Sequence, residues 1–391
     1  MSEHKENVPK IRFPGFTDAW EQRRLGEVTT KIGSGKTPIG GNSSYVSEGV
    51  SLIRSQNIYD DFVHLDDVVF ISNEIDEEMK NSRVIKNDVL LNITGASIGR
   101  SAVYKLSDKA NVNQHVCIIR PDNSVEADFI QLNISSSKGQ KEIELNQAGG
   151  GREGLNFQQI SKMSFFYPLK QEQQVIGRFF KQLDHLITLH QRKLNNVKNL
   201  KAGLFQKMFP KNGEDFPEVR FPGFTDAWEQ RKVIDIAPLQ RGFDLPVSEM
   251  EAGSYPVIMS NGVGAYHSKY KARAPGVVTG RSGTIGNLTF VETDYWPHNT
   301  ALWVTDFKGN DAKFIYYLYQ KLDLKRYGTG SGVPTLNRNN VHDTKTNIPS
   351  VTEQNQISRL FESLDHLITL HQRKLKHLQE QKKTLLQQMF I

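Results

Sequence analysis

The sequence predicts a mixed α/β protein of the α+β kind, with two globular domains, each followed by a long helix, and the two helices packed as an antiparallel coiled coil. Three observations carry that prediction. FPGFTDAWEQR stands at Phe13–Arg23 and again, letter for letter, at Phe221–Arg231. LDHLITLHQRKL stands at Leu183–Leu194 and again at Leu364–Leu375. The segments between these blocks share little sequence and consist of short β-rich runs.

The first block repeats at an offset of 208 residues, and its match runs back through Arg12/Arg220 to Pro9/Pro217. The second repeats at an offset of 181, with Leu155-Asn156/Leu336-Asn337, Pro168/Pro349 and Glu172-Gln173/Glu353-Gln354 upstream and Met208-Phe209/Met389-Phe390 downstream. The second variable segment is therefore 27 residues shorter than the first. Such a pattern is a tandem duplication of one large unit, unlike a solenoid of short stacked repeats.

The expected order is a first domain over 1–170, a helix over 171–209, a second domain over 210–351 and a helix over 352–391. Each domain opens on a conserved mount, 9–23 and 217–231, in which Phe13, Phe16 and Trp20, with Phe221, Phe224 and Trp228, bury at the entrance. In the first domain VSLIRS, DVLLNI and VCIIRP read as strands separated by Gly, Asn and Ser turns, and a helix is expected near 127–137. In the second, YPVIMS, GVVTGR and ALWVTD are strands, with a helix near 311–322. The long helices lack interior proline, and apolar residues at Ile176, Phe179, Leu183 and Leu186 step by 3 and 4, a heptad seam that continues through His190, Val197, Leu200 and Leu204. The second copy gives Ile357, Leu360, Leu364, Leu367, His371, Leu378 and Leu385. Each stripe needs a partner. The duplicate is the best candidate, and antiparallel pairing follows most simply from two units related by a two-fold. His190 and His371 read as polar residues that set register. Pro210 ends the first helix.

Composition narrows the function classes. Hydrophobic residues are 37% and charged residues 24% of 391. The net charge is +6, mildly basic and only weakly suggestive of a polyanion partner. The polar start MSEHKENVPK lacks the core of a signal peptide, and no apolar run is long enough to span a bilayer, so a cytoplasmic location and no membrane are expected. Cys117 is the single cysteine, which excludes an intrachain disulfide and a cysteine-based zinc site.

The particular letters, FPGFTDAWEQR twice, DVLLNITGASIGR, VNQHVCIIRP, YPLKQEQQ and LDHLITLHQRKL twice, resemble the specificity subunit of a type I restriction–modification system over nearly the whole chain. The resemblance implies that each variable domain is a target-recognition domain reading one half of a bipartite DNA sequence. It implies that the paired helices hold the domains apart and dock two modification subunits, which use S-adenosylmethionine to methylate adenine. Restriction subunits then join to form an ATP-dependent, Mg2+-requiring nuclease and translocase. This chain itself would bind double-stranded DNA, carry no cofactor or metal and perform no catalysis.

Candidate DNA-binding residues follow from that division of labour. The glycine turns NITGASIGR and TGRSGTIGN offer Thr94, Ser97 and Arg100, and Arg281, Ser282 and Thr284; they read equally as β-turns shared by two homologous domains. VNQH and WPHNT offer Asn113 and Gln114, and His298 and Asn299; the amides can pair with adenine or cap turns. SGKTPIGG supplies Ser34, Lys36 and Thr37, and QRGFDLP supplies Arg241. IRSQNI supplies Arg54, Gln56 and Asn57, and GGGREGLN supplies Arg152. KRYGTGSGVPTLNR supplies Lys325, Arg326 and Arg338, and Arg273 is a further basic candidate. The stretch Lys170–Lys211 carries nine Lys/Arg against two Asp/Glu, which suits a solvated helix face, phosphate contact or attraction of partner subunits.

Other chemistries find no support. There is no N/D-P-P-Y/F motif of an adenine methyltransferase, no G-x-x-x-x-G-K-[ST] loop, and GTGSG at 328–332 lacks the following dinucleotide fingerprint. Glu78 and Lys80 form an E-x-K triplet without the preceding Pro-Asp of a nuclease. The competing function class is a coiled-coil adaptor whose inserts bind protein rather than DNA.

Overall fold

The computed structural model describes residues 7–147, 154–211, 213–329 and 335–391. They form two compact units, one of residues 1–190 with 374–391 and one of residues 191–373. The long helices are Lys170–Lys207 and Val351–Met389, so each contributes to both units.

In unit 1 the central sheet has the strand order Thr29–Ser34, Val116–Pro121, Val89–Asn92, Ser101–Val103, all antiparallel. Its middle strands are buried on both faces, which is why they read as unbroken apolar runs. Side chains alternate between faces. Val89, Leu91, Cys117 and Ile119 point into a core shared with the helix Ala127–Ser135 and the long helices. Leu90, Val116 and Ile118 point the other way. There they meet Ile53, Ala110 and Val112 of a second sheet, ordered Val69–Ile71, Val50–Ile53, Ala110–Val112, Arg83–Val84.

Unit 2 repeats the plan on diverged sequence. Its sheet runs Leu239–Arg241, Ala301–Val304, Gly276–Gly280, Leu288–Val291. Val277 and Leu302 face one core and Val278 and Ala301 another. The parallel pair Val50–Ile53 with Ala110–Val112 in unit 1 has its counterpart in Tyr255–Met259 with Trp296–Pro297.

The repeated mount is built the same way in both units. Its last residues form a strand paired antiparallel to the strand that leads into a long helix, Glu21 opposite Tyr167 and Glu229 opposite Ile348. Just before the aromatics, Arg12 grips Glu172 through two bonds of 2.7 Å, and Arg220 grips Glu353 at 2.7 and 2.8 Å. Both carboxylates are almost fully enclosed at the helix start, where bidentate pairing satisfies them. The next residue of each copy ties helix to domain. Gln173 accepts from Glu126 N–H, and Gln354 accepts from Asp311 N–H, each at the start of a domain helix. Trp20 is buried edge-to-face on Phe129 and Phe390, and Trp228 on Phe314 and Phe209. The Met-Phe pair that ends one helix thus completes the core around the mount at the other end of the other helix.

Within each unit the helix segments run antiparallel. In unit 1 Asp184 meets Lys382 while Phe180 meets Phe390; in unit 2 Lys201 meets Asp365 while Phe205 meets Phe361. The heptad seam differs in detail from expectation. Ile176, Phe180, Leu183 and Leu194 are buried, whereas Phe179 is half-buried and Leu186 and Leu200 are exposed. A straight helix drifts about 20° per heptad from a 3.5-residue repeat, so a stripe chosen at strict heptad steps leaves the contact line.

Candidate nucleic-acid interface

In unit 1 four loops meet at one end of the sheets. The strand Thr29–Ser34 runs into Gly35, where a Cβ would lie 1.5 Å from Val112 O, so only glycine lets the loop lie on the neighbouring backbone. Beyond it, the Thr37 hydroxyl donates to Gln114 Oε1. Gln114 Nε2 lies 3.1 Å from His115 Nε2, and His115 Nδ1 lies 2.6 Å from Thr94 Oγ1. Asn92, at the end of its strand, donates to Ser97 Oγ at 3.1 Å and to Ser55 O at 2.9 Å. Asn113 receives its position from the Ile53 carbonyl, 3.1 Å from its N–H. Ser34, Lys36, Thr37, Thr94, Ser97, Asn113 and Gln114 therefore share one cluster, with Arg100 exposed where the Gly95–Ser97 turn re-enters the sheet.

The 54–57 loop is held from inside. Arg54 Nη2 donates to Asp67 O, Gln56 Nε2 to Asp67 Oδ2 at 2.8 Å, and Asn57 Nδ2 to Asp67 Oδ1 at 2.8 Å. Asn57 is fully buried and also accepts from Arg54 N–H, so its amide shapes the loop while Gln56 stays on the surface. Asp67, ten residues beyond Asn57, carried no sequence signal. Arg152 lies outside the described residues.

Unit 2 assembles an equivalent cluster with different chemistry. Gly242 is the counterpart of Gly35, its Cβ position 2.2 Å from His298 O. Arg241 Nη2 donates to Asp244 at 2.8 Å and Asn299 Nδ2 donates to the same carboxylate oxygen. The Asn299 amide, with Arg241, holds Asp244 below the usual carboxylate range, and so charged at neutral pH. His298 Nδ1 lies 2.9 Å from Thr300 Oγ1, and burial lowers the imidazole below its ordinary value, which keeps it neutral. Backbone bonds of Arg281 and Ser282 to Thr300 O bring the TGRSGTIGN turn against this loop. Leu336 N–H reaches Arg281 O at 2.7 Å, placing Arg338 nearby, and Lys325 packs against Gly286. Arg326 stacks on Tyr327 and donates to its hydroxyl at 2.7 Å. Arg273 is not part of the group: it precedes the strand Gly276–Gly280, whose far end carries Arg281.

Each cluster presents amides, hydroxyls and guanidinium groups on loops fixed by a rigid sheet. That inventory suits hydrogen bonding to base edges and phosphates. Among the described residues no group of His, Cys, Asp and Glu is placed to hold a metal ion, and no helix is long and apolar enough to cross a membrane.

Comparison with known proteins follows the same outline. The family model described as "Type I restriction modification DNA specificity domain" matches residues 17–199 and 225–380, once on each copy of the duplicated plan. The type I restriction enzyme EcoBI specificity subunit of Escherichia coli is 30% identical over 169 residues, which is 42% of this chain and 35% of the relative; the match thus spans about a third of that protein. A chain of Methanocaldococcus jannaschii, described provisionally as the type I restriction enzyme MjaX specificity subunit, is 19% identical over 98% of this chain and 95% of its own length. Among solved structures, the S subunit of a type I restriction–modification system from M. genitalium aligns with a TM-score of 0.67 at 14% identity, over 98% of this chain and 99% of that one.

Proposed function

Since the chain belongs to the type I restriction–modification DNA specificity family, whose members are non-catalytic specificity subunits, we propose that each unit reads one half of a bipartite, asymmetric DNA target. The observation that carries this reading is the duplication itself. One frame, with the same mount, clasp and sheet order, holds two loop clusters of unlike chemistry. Gln114, Thr37, Lys36 and Arg100 are exposed in one, and in the other Arg241 is exposed with Arg281 and Asn299 half-buried beside it. Amides suit adenine, and arginines suit guanine or phosphate. Unlike readers on like mounts give an asymmetric target.

The helices in this reading set the spacing between half-sites and dock two modification subunits, with restriction subunits joining in turn. S-adenosylmethionine, ATP and Mg2+ belong to those partners, and the assembly works in the cytoplasm on double-stranded DNA. The loop residues named above supply contacts in both units, phosphate contacts outnumbering base contacts.

Genome-wide mapping of methylated adenines in cells expressing this chain with its modification subunit tests the reading. A single motif with two specified halves and an unspecified spacer is expected. Methylation at no defined motif, together with duplex binding that vanishes at moderate salt, would leave the adaptor reading in its place.

A further inference from the structure

The duplicated frame sets one pair of side chains at the tip of each central sheet, and the two pairs differ in charge. Strand pairing fixes the correspondence, with Ser34 opposite Cys117 in unit 1 and Arg241 opposite Leu302 in unit 2. Counting outward from these partners, Gly35 matches Gly242, Thr37 matches Asp244 and Gln114 matches Asn299. The neighbouring N–H groups agree, since Asn113 reaches Ile53 O at 3.1 Å and His298 reaches Ile258 O at 2.9 Å on matching strands. In both units the residue two places beyond the glycine bonds the amide of the adjacent loop, Thr37 with Gln114 and Asp244 with Asn299.

Thr37 and Gln114 both donate and accept, whereas an ionised Asp244 only accepts. Asn299 Nδ2 and Arg241 Nη2 donate to its Oδ1, the latter at 2.8 Å, and among the described residues nothing bonds Oδ2. The Asp244 side chain is 62% exposed. A bare carboxylate oxygen is costly on a surface that meets phosphates. It repels the DNA backbone, and losing its water is unfavourable unless another donor takes that place. The donors on base edges in the major groove are the amino groups of cytosine and adenine. Adenine sets its N7 lone pair beside the amino group, which a carboxylate repels, while cytosine offers the amino group alone.

We infer that Asp244 is a specificity-determining residue of unit 2, its Oδ2 accepting a hydrogen bond from the amino group of a cytosine in that unit's half-site. The inference rests on the function proposed above and adds one base of the target. Asn299 and Arg241 are positioning residues here: they hold Oδ1 and so aim Oδ2. The guanidinium also offsets part of the repulsion between the carboxylate and the phosphates.

The test maps methylated adenines in cells that co-express the modification subunit with the full chain, its Asp244→Ala variant or its Asp244→Asn variant. Asparagine keeps the shape and accepts both internal bonds through its oxygen, which puts its NH2 where Oδ2 stood and turns the outward acceptor into a donor. The wild type is expected to show a C·G pair at a fixed position of one half-site. Asp244→Ala should make that pair degenerate and leave the other half unchanged, discrimination falling about tenfold or more. Asp244→Asn should turn against cytosine at the same pair and favour a base that presents an acceptor, thymine O4 or guanine O6. If the alanine variant fails to fold, the isosteric asparagine variant decides alone. A motif unchanged in the asparagine variant would show that Asp244 only shapes its loop and would overturn the inference. Degeneracy at a pair that is not C·G would overturn it equally, and in both cases a bipartite wild-type motif leaves the function standing. Wild-type methylation at no bipartite motif would sink the underlying function.

Discussion

The Lys201 ammonium lies 2.5 Å from the Asp365 carboxylate in unit 2. Its duplicate is Lys382 with Asp184, 2.7 Å apart in unit 1, with the roles of the two helices exchanged. Two copies of one helix that pair antiparallel place the same two residues opposite each other twice, once in each order. The surroundings differ. Asp365 also accepts from the Tyr317 hydroxyl at 2.9 Å, whereas Lys382 bonds a second carboxylate, Asp61, which belongs to the variable segment.

That difference makes Lys382 the more costly residue to remove. Its side chain is 13% exposed between two acids, and Lys382→Met leaves both without their cation. A loss of about 3 kcal/mol is expected, against about 1 kcal/mol for Lys201→Met in its more open pair. Denaturant unfolding of the two variants gives the comparison. Burial alone lowers the Lys382 pKa, but Asp61 and Asp184 together raise it above its ordinary 10.5. Its contribution is therefore complete below about pH 10 and is lost as pH rises through the folded value. Burial raises Asp184, with Lys382 opposing. Without Lys382, the Asp184 carboxyl rises further, so the deficit of Lys382→Met should shrink as pH falls from neutral toward the ordinary carboxylate value of about 4.

Trp20→Ala and Trp228→Ala should each cost about 3–5 kcal/mol, since each indole fills a core between a domain helix and the end of a long helix. Neither lies in a loop cluster. Where enough folded protein remains, the methylated motif should be unchanged for both, and a shifted motif would show that the mounts take part in reading.

Cys117 is enclosed in the central sheet of unit 1, and burial pushes its thiol up to about 12. Alkylation at pH 8 should be negligible in the native chain and complete in denaturant. Rapid labelling of the folded chain would mean that unit 1 opens readily.

The reading loops predict separable losses. Gln114→Ala should relax specificity in the half-site of unit 1 alone, at about 1–3 kcal/mol if its amide pairs with a base. Arg281→Ala should act only on the other half-site. If Arg281 contacts phosphate, binding weakens alike on all sequences and the salt slope falls by about one. Titration of duplexes altered in one half at a time distinguishes these outcomes.

The sequence made the frame legible because burial on a long helix or a two-faced strand leaves a local signal. Val89-Leu90-Leu91 reads as a central strand because both of its faces are covered. The loop clusters were legible as pieces, not as groups. Thr37, Thr94 and Gln114 meet only because the strand at 29–34 lies beside 116–121, which lies beside 89–92, and strand order is set by long-range packing. Arg273 illustrates the converse, a basic residue in a glycine-bordered loop at the far end of its strand. Asp67 was invisible because its role, holding three residues of another loop, depends on a turn that brings it back.

The contact of Trp20 with Phe390 has a consequence for synthesis. Unit 2 is one continuous stretch, residues 191–373, and all of it leaves the ribosome before residues 374–391. Unit 1 begins the chain but needs that last segment to close its core around Trp20. The unit made first therefore finishes second. Until then its aromatic cluster stays open to solvent, the kind of exposed apolar surface that makes a folding intermediate prone to aggregate.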